Sequence, residues 1–152
     1  MNEIDYIART LRDVYDGDAW YGPCLADLLK EVSAEQAASR PLASAHNIHE
    51  LVLHIAAWNR AALGSLGGRP LPAMPWDEDW KNIERADLAA WKEAREALAR
   101  SHRELASAAA KFTPQQLEEI VNGRKYNFRT LLHGMAQHAA YHAGQIALLK
   151  KA

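Results

Sequence analysis

A single cysteine, Cys24, stands among 152 residues, so no intrachain disulfide is possible. At this length none is needed to bury a core, and the size fits one domain, residues 1–152. Charge of one sign is not in excess either. Lys and Arg number 18, Asp and Glu 19, for a formal net charge of −1. Such a surface makes no electrostatic case for nucleic acid or for an anionic membrane. No stretch approaches the ~20 apolar residues of a membrane span. The start, Met1-Asn2-Glu3-Ile4-Asp5, lacks the basic and apolar regions of a signal peptide. The expected location is the cytoplasm. There is also no glycine-rich phosphate loop, nucleophile elbow or paired-cysteine motif. Gly64-Ser65-Leu66-Gly67-Gly68 follows no strand and reads as a helix end. Nothing repeats at a fixed period, and no segment is of low complexity.

What the chain does have is helical periodicity, in four main segments with no convincing strand. The first covers about Glu3 to Lys30 and is broken by Gly17 and Gly22-Pro23. A short helix ends near Tyr15, and a second piece begins at Pro23, since proline suits a first helical turn. A polar stretch follows from Ser33 to Ala45. The second main helix runs from about Asn47 to Leu66, where Ile48, Leu51, Val52, Ile55, Ala62, Leu63 and Leu66 recur at three- and four-residue steps. Gly67-Gly68 ends it. The connection Arg69 to Asp79 holds three of the six prolines, and Trp76 and Trp80 imply that it packs down. A third helix is expected over about Asn82 to Lys111, with Leu88, Trp91, Leu98 and Leu105 on its apolar stripe. Thr113-Pro114 opens a short turn of helix, and Gly123 to Phe128 looks extended. The last helix runs from about Arg129 to Lys150. This pattern is all-α and points to a four-helix bundle, whose long connections leave room for a crossover.

The last helix carries the chemistry. Its stripe begins at Leu131 and Met135 and ends at Ile146 and Leu149, but positions 138 and 142 between them are histidine. An imidazole in a core position costs free energy unless its nitrogens find partners. Two histidines four residues apart lie one turn apart on one face, so both rings can reach one metal ion. Buried histidines bonded to backbone or water are the plain alternative. His54, at the edge of the second helix's stripe, offers a third ligand. Three histidines plus water is the arrangement of a catalytic site with an open position, whereas structural zinc usually has four protein ligands. Glu50, one turn before His54, is the best-placed carboxylate for a catalytic base or a supporting role. It can equally be a polar helix residue. Tyr141 and Gln145 are candidates for substrate contact or for packing. The other histidines read as bystanders: His46 at the helix start, His49 at the surface or in packing, His133 facing away, and His102 solvated among Arg100, Arg103 and Glu104. Cys24, beside Pro23 near a helix start, is either a reactive thiol or, with Leu28, part of the apolar pattern.

The segment Ala45-His46-Asn47-Ile48-His49-Glu50-Leu51-Val52-Leu53-His54-Ile55-Ala56-Ala57-Trp58 resembles the second-helix motif of the DinB-like family. Leu131-Leu132-His133-Gly134-Met135-Ala136-Gln137-His138-Ala139-Ala140-Tyr141-His142-Ala143-Gly144-Gln145-Ile146 resembles its last-helix motif. Ala19-Trp20-Tyr21-Gly22-Pro23 and the spacing between motifs fit as well, so the likeness covers most of the chain. The resemblance implies a four-helix bundle of crossover (DinB-like) topology that often forms homodimers. It also implies that His54 joins His138 and His142 around one divalent metal, with nickel or zinc as the usual candidates. Characterised relatives include metal-dependent transferases that use low-molecular-weight thiols, and others have been called hydrolases. Many members carry arginine after the last ligand, where this chain has Ala143, which puts any anion-binding role of that arginine in doubt here. Three readings follow: a metal-dependent enzyme acting on a small-molecule substrate (thiol transferase before hydrolase), a non-catalytic metal-binding stress-response protein, and a helical interaction protein with buried histidines.

Overall fold

Four side chains of the same chemistry start the four long helices. Asn2, Asn47, Asp87 and Asn127 each accept a hydrogen bond from the backbone N–H three residues on, at 2.8–3.0 Å, which satisfies an otherwise orphaned donor. In the computed structural model, which describes residues 1–152, the helices are α1 (Glu3–Asp16), α2 (Leu25–Leu29), α3 (Ala34–Ala38), α4 (Ile48–Leu66), α5 (Leu88–Ala109), α6 (Pro114–Glu118) and α7 (Phe128–Leu149). The long ones, α1, α4, α5 and α7, form the bundle.

Their directions follow from how the core divides. One apolar cluster gathers Val14 of α1, Leu51 and Ile55 of α4, Trp91 and Leu98 of α5, and Ala143 and Ile146 of α7. The other gathers Ile4, Ile7 and Leu11 of α1, Ala62 of α4, Leu105 and Ala109 of α5, and Leu131, Leu132 and Met135 of α7. Thus α4 and α5 both enter at the first cluster and leave at the second, so they run parallel to each other. α1 and α7 run the opposite way. The connection from α4 to α5 must therefore return along the length of the bundle, which is the crossover the long linkers leave room for. Its first residues are tied to the turn before α7: Leu71 N–H donates to the Asn122 carbonyl at 3.1 Å, and Arg124 donates to the Pro72 carbonyl.

Several sequence expectations need correction. The third helix begins at Leu88, not Asn82, because the Asp87 side chain caps it there. Leu88 then lies on the solvent side at 73% exposure, not on the core stripe. The polar stretch from Ser33 to Ala45 contains a short helix, α3, with Ser33 as its cap. Residues 123–128 form no strand. Gly123, at φ +81°, turns the chain, and an isolated antiparallel bridge joins Ile120 to Asn127. His102 is not solvated but 2% exposed, stacked on Tyr15 at 5.1 Å between ring centroids. Its charged neighbours sit on the outer face of α5. No helix is long and apolar enough to cross a membrane.

Candidate metal centre

Because α4 and α7 lie side by side and antiparallel, His54 faces His138 and His142 across the helix pair. Each residue offers one ligand atom, and the three atoms lie within 4.8 Å of one another. The nitrogens that converge are all Nε2. His138 Nε2 is 2.9 Å from that of His54 and 3.1 Å from that of His142.

Which nitrogen carries the proton is decided one shell further out. His54 Nδ1 lies 2.7 Å from the backbone carbonyl of Asp79. His142 Nδ1 lies 2.5 Å from Gln145 Oε1. A carbonyl oxygen only accepts, so both Nδ1 atoms carry hydrogen and both Nε2 atoms present lone pairs. Bare lone pairs aimed at a common point, with the opposite nitrogen anchored on a carbonyl, are the donor arrangement of metal-ligating histidine. The residues present fit a divalent ion on this chemistry.

Electrostatics agrees. Burial lowers the pKa of His54 and of His142, against the opposing pull of their carbonyl partners. For His138, burial and then the neighbouring imidazoles push it down to about 3. All three rings are therefore neutral at neutral pH, the form that binds metal.

The crossover connection supplies the rest of the site, and it does pack down. The Trp80 indole lies between two imidazoles, 3.8 Å from His54 and 3.5 Å from His46 between ring centroids, nearly parallel to both. Asp79 Oδ1 accepts a 2.6 Å hydrogen bond from Trp58 Nε1 and sits 3.3 Å from His54 Nδ1. Trp76 meets Trp58 edge-on. Asp79 is the residue that sequence reading missed. Its partner Trp58 lies one turn after His54, but nothing in a loop sequence says which carbonyl will reach which ring.

Glu50 stands apart from the three histidines. Its carboxylate accepts from Arg40, from His46 at 3.1 Å, and from the Asn47 backbone N–H at 2.9 Å, where it closes a capping box. It reaches the histidines only through His46 and Trp80. Gln145 anchors His142, and its amide reaches the Tyr141 hydroxyl at 3.4 Å. Tyr141 is exposed, with its ring edge-on to His142. His49 is buried against Trp91, and His133 faces Glu3 on another side of the bundle. Cys24 is buried, and burial raises its thiol pKa, which makes it a packing residue. Ala143, where the resembled family often has arginine, is 1% exposed in the apolar core. A guanidinium from that position would have to be buried.

No curated protein and no solved structure shows a significant match to this chain. The family model of the DinB superfamily matches residues 24–146, a span that contains α2 through most of α7 and all three converging histidines. With a helical bundle and a histidine cluster compatible with metal binding, the chain belongs to the DinB superfamily.

Proposed function

We propose that His54, His138 and His142 bind one divalent metal ion, nickel or zinc, through Nε2, and that the protein is a metal-dependent enzyme acting on a small molecule. The observation that carries this reading is the pair of Nδ1–carbonyl anchors, which leaves the Nε2 lone pairs facing one point. Three neutral protein donors leave a coordination position open, unlike the four-ligand structural sites. An ion held this way supplies a Lewis acid that lowers the pKa of the water or thiol in its open position towards neutrality.

Within that class we favour transfer to or from a low-molecular-weight thiol over hydrolysis. The DinB resemblance supports this choice, and so does the surrounding wall of Trp58, Trp76 and Trp80, which is apolar and suits sulfur and carbon better than a charged group. Trp80 holds the His54 ring in plane. Asp79 and Gln145 hold the tautomers. Glu50 acts here by fixing His46 against Trp80, not as a base at the reacting atoms. The non-catalytic alternative has one observation in its favour: His54 and His142 are only 6% and 5% exposed.

Metal content tests the reading. Protein purified without a histidine tag should carry close to one divalent ion per chain by elemental analysis, and the His142→Ala variant almost none. If both preparations are metal-free and neither takes up added nickel or zinc, the histidines are structural. A finer test concerns the outer anchor. Asp79→Ala keeps the backbone carbonyl but removes the carboxylate that ties the loop to Trp58 and lies 3.3 Å from His54 Nδ1, and should weaken metal affinity by about tenfold. Asp79→Asn, which keeps Oδ1 as an acceptor for Trp58, should stay close to wild type. Equal affinity in all three proteins would remove the Asp79 side chain from the site and leave its backbone carbonyl as the sole anchor of His54.

A further inference from the structure

Midway along the bundle the apolar core is interrupted. On three of the four long helices the level between the two core clusters is polar. On α4 it falls at Asn59, between Ala56 and Ala62. On α5 it falls at Ser101 and His102, between Leu98 and Leu105. On α7 it falls at His138, between Met135 and Ala139. Asn59, Ser101 and His102 are 1–2% exposed. Asn59 Nδ2 donates to Ser101 Oγ at 3.2 Å, and Ser101 Oγ donates to the Leu98 carbonyl at 2.9 Å. There the direct bonding stops. Asn59 Oδ1 and His138 Nδ1 are buried with no protein partner, and the ring nitrogens of His102 form no well-aligned hydrogen bond, with only the Leu11 backbone near one of them.

Buried polar groups are rarely left unpaired, and such atoms on three helices at one level of a bundle call for a common partner. The metal reading makes the demand specific. If His138 Nε2 gives its lone pair to an ion, its proton must sit on Nδ1, and that N–H needs an acceptor. His54 has the Asp79 carbonyl and His142 has Gln145. His138 has no such residue in direct contact. His138 stands on α7 at the level of Asn59 and His102, and with Nε2 facing His54 and His142 its Nδ1 is the ring nitrogen left over for that layer. An internal water needs two to four polar partners. Asn59 Oδ1, His138 Nδ1–H and one nitrogen of His102 make three.

We propose that Asn59 and His102 are positioning residues of the metal centre, which act through internal water to hold the His138 ring with Nδ1 protonated and Nε2 aimed at the ion. The proposal rests on the metal reading of the three histidines. The low pKa of His102, pushed to about 4 by burial, fits the role, since a neutral ring keeps a lone pair to accept with.

Cobalt(II) is the probe, with affinity measured by chelator competition and geometry by the visible absorption spectrum. The wild type should bind it. Asn59→Leu and His102→Phe, folded by circular dichroism, should bind 10- to 100-fold more weakly, with an altered visible spectrum. His102→Gln, which keeps polar atoms in the layer, should recover part of the affinity. Folded variants with wild-type affinity and spectrum would overturn the proposal and leave the layer as packing. Failure of the wild type itself to bind cobalt would instead sink the metal reading. Nitrogen-15 NMR of the zinc-loaded wild type covers the case in which the apolar variants do not fold. A His138 Nδ1–H that exchanges slowly and cross-relaxes with a bound water is expected. Coordination through His138 Nδ1, or an Nδ1–H with no such water, would overturn the proposal.

Discussion

Zinc or nickel at about a thousandfold excess over its dissociation constant should stabilise the wild-type protein by about 4 kcal/mol, and the His138→Leu variant not at all. In a domain of this length that is a rise in Tm of roughly 10 °C. The effect is large because binding is confined to the folded state: His54 and His138 are far apart in sequence and meet only when α4 lies beside α7. Leucine is the right probe because its volume is close to that of histidine and the position is flanked by Met135 and Ala139 of the core. The variant should therefore keep its helical signal while losing the metal response. Thermal unfolding by circular dichroism, with and without added metal, measures both. An equal Tm rise in the two proteins would mean that metal binds elsewhere, on the exposed His46 or the half-buried His133.

Acidification should destabilise the metal-free protein steeply between pH 7 and 5. The pKa of His102 is pushed to about 4 and that of His138 to about 3, both chiefly by burial, and His49, His54 and His142 are shifted in the same direction. In the unfolded chain these rings titrate near 6.5. Below that pH the unfolded state binds more protons than the folded one, so stability falls as pH falls and levels off only beneath the folded pKa values. At about 1.4 kcal/mol per pH unit for each group, His102 and His138 each remove on the order of 2 kcal/mol by pH 5. That is a large share of the roughly 5–15 kcal/mol typical of a domain. A Tm at pH 5 roughly 10 °C below that at pH 7 is expected, and His102→Phe should show a clearly smaller drop. Bound metal should move the transition to lower pH, because it competes with protons for the imidazole lone pairs. A Tm that is flat from pH 7 to 5 would show that these rings are more solvated than their burial implies.

Much of the molecule is legible in one dimension. Helix spacing is a local code, so the apolar stripes of α4 and α7 and the two histidines interrupting the latter can be counted off directly. So can the caps: Asn47 with Glu50 three residues later is a helix start before any coordinates are seen. The same locality explains the errors. Asn82 to Ala86 carries no strong breaker, so the third helix looked longer than it is. His102 sits among Arg100, Arg103 and Glu104 in sequence, but a helix turns ~100° per residue, and His102 faces inward while they do not.

What only the tertiary structure decided is what faces what. The parallel run of α4 and α5 sends their connection back along the bundle, and that path brings Asp79 and Trp80 onto His54. Glu50, one turn from His54 on the same helix, is turned instead to Arg40 and His46, because a capping carboxylate is held at the helix start by its own backbone. By itself the sequence determined the four long helices, apart from the start of α5 and the side on which Leu88 lies, and the three histidines. Gln145, three residues from His142 on α7, follows the helical period, but the Asp79 carbonyl that anchors His54 comes from a loop, and no helical period encodes it. That contact exists only once the chain has closed on itself.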